Sequence, residues 1–211
     1  FKLLVDDILK SINEVINHGL LDPRFYIRAG QILDVVANRK PELYPESERY
    51  YREGLKLAPS RQELWYGLAL SLGKQGRTKE AFEVVRQTIN LNPEVSRAHF
   101  YLALLFSAED VQKHRVEILS ELDLMNELDP SLGGLRPADI KSIAQIYLNL
   151  NEADRLVDFV MKRINGTTIK NFEPQYYEFA LRYFLARRDL ENFRKTAVFI
   201  AREFPQTRED M

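Results

Sequence analysis

Few residues in this 211-residue chain are of the types that do covalent or metal chemistry, and their spacing decides what they can do. Histidine occurs three times, at His18, His99 and His114. The three stand far apart, with no Cys and no second His at the short intervals of a metal site, so none is read as a metal ligand. Cysteine is absent, which removes disulfide staples, thiolate zinc sites and thiol nucleophiles together. Gly133-Gly134 has no Gly-Lys-Ser sequel and no GxGxxG frame, so it does not read as a phosphate loop. Carboxylates gather as Asp6-Asp7 and as Glu46 with Glu48, in the manner of solvated helix faces or first helical turns. Asn165-Gly166-Thr167 matches a glycan acceptor, yet Asn-Gly is a routine turn pair and is read as a turn. No catalytic constellation forms. The chain is expected to be no enzyme and to need neither cofactor nor metal.

The elements that would position any site are helices, because alternating β-branched runs of strand length are missing and apolar residues recur at helical spacing. From Trp65 the spacing is regular: Leu68 and Ala69, then Leu72, a turn at Gly76, then Ala81, Val85 and Pro93. Upstream, Tyr26, Ala29, Gly30 and Leu33 repeat the large, small-small, large spacing on a helix opened by Asp22-Pro23, a cap followed by proline in the first turn. His99, Leu102, Ala103 and Phe106 restart it, followed by Ile140, Ile143, Ala144 and Tyr147, and by Tyr177, Ala180, Leu181 and Phe184. Small residues such as Ala69, Ala81 and Ala103 let two helices approach, and the large ones fill the gaps between successive pairs. Helix pairs are expected near residues 23–58, 61–92, 95–128, 137–165 and 173–204. An extra helix is expected from about Lys2 to Asn17, with Leu4, Ile8, Ile12, Val15 and Ile16 on one side.

The Trp65–Pro93 segment resembles the tetratricopeptide repeat (TPR), a pair of antiparallel helices of about 34 residues. The resemblance implies an all-α, right-handed superhelical solenoid of about five helix pairs over residues 1–211. Single pairs cannot bury their apolar faces, so they stack into a quasi-one-dimensional array. It also implies a non-catalytic scaffold whose first helices line a concave groove for a peptide or helix. Residues one step past the leading large position are then Ile27, Tyr66, Phe100, Lys141 and Glu178, and a turn further on Gln31, Leu70, Leu104, Gln145 and Arg182. Of these, Tyr66, Leu70, Phe100, Leu104, Lys141, Gln145 and Arg182, together with Arg97, are the expected peptide contacts. Tyr66 and Phe100 are the leading anchors, with burial as core as the competing reading. The family's chaperone-binding branch holds a C-terminal carboxylate with Lys and Asn, but Tyr66, Leu70, Phe100 and Leu104 occupy those places here, so that activity is not expected. His99 stands where the leading Trp would be and is expected to pack.

Bulk properties agree with a scaffold. Thirty basic residues against thirty-one acidic give a net charge of −1, which offers no support for nucleic-acid binding. No apolar run approaches the roughly 20 residues of a membrane span. The start Phe1-Lys2-Leu3-Leu4, without Met, reads as a domain cut from a larger protein. Residues 50–64 also resemble repeats that follow the membrane part of bacterial O-antigen ligase and polymerase-like proteins. That resemblance implies an accessory or oligomerisation domain of a glycosyltransferase. The last helix is apolar nearly all round from Ala197 to Ala201, which reads as tight wrapping on its neighbour, with self-association through Val198 and Phe199 as the competing reading. Cytoplasmic residence, or a soluble domain of a membrane protein, fits either reading.

Overall fold

In a computed structural model the chain is all-helical. The structure describes residues 22–130, 135, 137–165 and 174–204, and positions 7, 10, 11, 13 and 14. The expected N-terminal helix over 2–17 lies outside the described residues but for those five positions. Gly133-Gly134, His18, and Gly166-Thr167 lie outside them too.

Ten α-helices occupy the described residues: α1 Pro23–Ala37, α2 Tyr44–Leu57, α3 Gln62–Lys74, α4 Thr78–Leu91, α5 Ser96–Asp110, α6 Arg115–Leu128, α7 Pro137–Asn149, α8 Ala153–Asn165, α9 Pro174–Ala186 and α10 Leu190–Glu203. Successive helices pair, and the first helices also meet side by side, α1 on α3, α3 on α5 and α5 on α7. The fold is a TPR-like solenoid with one continuous core from Tyr26 to Ile200.

Local chemistry sets the helix ends. The Asp22 carboxylate accepts the Arg24 N–H at 2.9 Å, and Pro23 begins α1 without a donor to lose. Three turns inside pairs close alike. The N–H groups of Arg77, Glu152 and Asp189 return to the carbonyls of Leu72, Tyr147 and Phe184, at 3.0, 2.8 and 2.9 Å. Each turn needs one left-handed residue, supplied by Gly76 at φ 76°, Asn151 at φ 57° and Arg188 at φ 60°. Only the first carries no Cβ penalty.

Pairs are joined by recurrent devices. The Trp65 indole N–H donates to the Pro59 carbonyl at 2.7 Å, six residues upstream. His99 repeats this with Nε2, 3.1 Å from the Pro93 carbonyl, again six residues upstream. Its Nδ1 lies 2.7 Å from a Glu121 carboxylate oxygen on α6. A carbonyl and a carboxylate both accept, so this pair of contacts favours the doubly protonated imidazolium of His99. The Glu121 hydrogen bond holds its pKa above the ordinary histidine value, against the burial that opposes it. On the second helices, Glu48 pairs with Arg77 at 2.7 Å, and Arg115 with Glu152 in the reverse sense. Asp123 with Arg155, and Asp154 with Arg187, continue the series.

Candidate peptide-binding groove

The first helices α1, α3, α5 and α7 lie side by side, and in solenoids of this kind such a row lines the concave surface. Its two halves differ. At the position one past the leading residue, Ile27, Tyr66 and Phe100 are buried, whereas Lys141 and Glu178 are exposed. Leu70 and Leu104, one turn on, are half-buried and rest on the core, while Gln145 and Arg182 are exposed. The Gln145 amide donates to the Asn149 side-chain oxygen at 2.9 Å, along its own helix.

Of the two readings of Tyr66 and Phe100, exposed anchors or core, the burial is that of core. Phe100 is 0% exposed and Tyr66 2%. The Tyr66 ring turns into the seam between α3 and α5, and the Phe100 ring lies in the core beside its own helix neighbour Tyr101. Tyr66 stacks on Tyr101 at 4.4 Å with an interplanar angle of 18°, and Phe100 meets Tyr101 at 5.1 Å. Burying such a ring is favourable by roughly 25 cal/mol per Å² of apolar surface, while a lysine at the same position keeps its charge in water. The tyrosine retains a polar edge. Its hydroxyl reaches Gln62 at 3.3 Å, and burial raises its pKa.

That edge opens on a cavity of about 90 Å³ among α1, α2, α3 and α5. Gln31 and Asp34 come from α1, Tyr51 from α2, Glu63, Tyr66, Gly67 and Leu70 from α3, and Arg97 and Tyr101 from α5. Three of the expected contacts, Tyr66, Leu70 and Arg97, thus converge on one hollow. The other five do not line it: Phe100 lies in the core, Leu104 rests on it, and Lys141, Gln145 and Arg182 stand on α7 and α9.

Tyr51 belongs to a second helix and enters the hollow by passing between two first helices. A Cβ on Gly30 would lie 2.5 Å from its ring, and one on Gly67 2.2 Å. Glycine at both positions clears the path. The Tyr51 hydroxyl donates to one Asp34 oxygen at 2.6 Å, and the Ser47 hydroxyl donates to the other. Burial raises the Asp34 pKa, with the two hydroxyls pulling the other way. Asp34, Tyr51, Glu63 and Tyr101 were not among the expected contacts. The visible signal was glycine within helices, at positions 30 and 67.

At the far end Val198 is 63% exposed. Phe199 is not available as a contact: it is 9% exposed, its ring 5.0 Å from Tyr177. No group of three or more potential metal ligands occurs among the described residues, and none of their helices is long and apolar enough to cross a membrane.

No protein-family model matches the chain, and no curated protein does. Solved structures do. PilF of Pseudomonas aeruginosa is similar with a TM-score of 0.55 at 13% identity, covering 95% of this chain and 92% of its own. A thermophilic TPR protein of Thermus thermophilus has a TM-score of 0.53 at 17% identity, covering 87% of this chain and 92% of its own. MamA of Desulfovibrio magneticus RS-1 has a TM-score of 0.50 at 17% identity, covering 75% of this chain and 82% of its own. The fold is TPR-like. At these identities the likeness speaks to the fold alone.

Proposed function

We propose that the protein is a non-catalytic interaction scaffold that holds an extended peptide along its first helices. The observation that carries this reading is the hollow on the face of α1, α3 and α5, with Leu70 half-buried at its edge and Leu104 one helix further on. Lys141, Gln145 and Arg182 continue the same face as exposed polar contacts. An apolar anchor near Leu70 and Leu104 with polar pairing towards α9 fits a peptide that crosses several pairs. Tyr66 contributes its hydroxyl edge, and Phe100 supports the wall from behind.

Selection of peptides from a random display library on the intact chain tests this. Bound peptides should lose affinity for Leu70→Arg and for Leu104→Arg while both variants keep their helical circular dichroism. Peptides that bind both variants as tightly as the unaltered chain would place the site elsewhere. The accessory-domain alternative draws support from the exposed Val198 alone. It predicts a dimer that Val198→Asp dissociates in light scattering.

A further inference from the structure

We propose that the hollow floored by Asp34 is a lysine-specific subsite, taking the primary ammonium head of one side chain of the groove-bound peptide. The inference rests on the groove reading above and names the chemistry of its anchor.

Four observations converge on this. The first is construction. Glycine inside a helix is less favourable than alanine, yet two stand here, Gly30 and Gly67. Both lie against the Tyr51 ring, and that ring delivers its hydroxyl to Asp34.

The second is charge. The carboxylate has one hydroxyl donor on each oxygen and no cation paired with it among the described residues. The other charged groups of the hollow lie on different helices. Glu63 has Arg61 at 3.3 Å, and the Arg97 charge acts on Tyr66. Tyr44 and Tyr51, the tyrosines of α2 that feel the Asp34 charge, are neutral with raised pKa values, as is Tyr66 on α3. A half-buried carboxylate lacking a counter-charge is unfavourable, and a bound cation relieves that.

The third is size. A cavity of about 90 Å³ has room for several water-sized groups, which suits the end of a lysine side chain. Leu70 and the Tyr66 and Tyr101 rings would flank the methylene stem.

The fourth is geometry. A guanidinium binds best as a fork on both carboxylate oxygens, and here each oxygen already accepts a hydroxyl. An ammonium is a point charge with rotatable donors and needs only the remaining lone pairs. Lysine is preferred over arginine for that reason. Binding requires Asp34 ionised, so it should weaken as pH falls through the raised Asp34 pKa.

The probe is Nα-acetyl-lysine methylamide, compared with the norleucine and arginine analogues, on the intact chain by NMR. Saturable shifts at the Gly67 and Tyr66 amides are expected for lysine, at least about tenfold weaker for the other two. Asp34→Asn should abolish the lysine preference while staying folded, because an amide still accepts from Tyr51 and donates to Ser47. Absence of saturable shifts, equal binding of norleucine, or an undiminished preference in Asp34→Asn each overturns the subsite. Library peptides that still depend on Leu70 and Leu104 would then leave the groove itself intact.

Discussion

The two halves of the first-helix face answer the same structural position in opposite ways. On α3 and α5 the residue after the leading large one is Tyr66 or Phe100, and it is buried, Tyr66 in the seam with α5 and Phe100 in the core. On α7 and α9 it is Lys141 or Glu178, and it stays in water. The N-terminal half thereby gains a wall of rings with one polar hollow, and the C-terminal half keeps an open charged surface. Residue type at one recurring position decides whether a first helix adds to the core or to the exposed face.

The largest test of this contrast compares equivalent positions. Phe100→Ala should lose about 3–5 kcal/mol in chemical denaturation, and Lys141→Ala should stay within about 0.5 kcal/mol. Equal losses would erase the distinction between the halves.

Next in size is the Tyr51 passage. Gly67→Ala places a Cβ 2.2 Å from the ring and should lower stability by about 1–3 kcal/mol. Truncation of the ring in Tyr51→Ala should remove most of the added penalty, measured as a double-mutant cycle.

The junction residues sharpen the comparison further, since Trp65 and His99 make the same carbonyl contact with different ionisation. The folded protein holds the His99 proton more tightly than the unfolded chain does. Its contribution is therefore fully present below the ordinary value of 6.5 and is lost as pH rises through the raised one. His99→Trp should flatten that part of the stability–pH curve. A curve unchanged by the substitution would show that the imidazolium is not the cause.

The smallest effect concerns the turns. Arg188→Gly should gain about 1 kcal/mol by relieving its left-handed backbone, while Gly76→Ala should lose a similar amount.

Much of this was legible in the residues. Spacing from Tyr26 to Phe184 predicts an all-α solenoid, because small and large residues at fixed helical offsets have few other uses. His99 in the place of Trp predicts packing, and the ring does pack, 5% exposed. The groove was harder to read. Whether Tyr66 and Phe100 face water depends on how successive first helices tilt, which is a property of contacts between pairs and not of one helix. Gly30 and Gly67 are visible as glycines, but the ring that passes between them comes from a different helix. The left-handed turns at Asn151 and Arg188 lack the glycine that marks Gly76, so only their backbone angles and hydrogen bonds reveal the equivalence. The stretch of residues 50–64, read as O-antigen ligase-like, folds into α2 and the start of α3.

Amide hydrogen exchange with and without a library-selected peptide tests the central claim most directly. The account predicts slowed exchange on α3, α5 and α7, with α4, α6 and α8 unchanged. Slowed exchange confined to α4, α6 and α8 would contradict it, placing the partner on the outer helices.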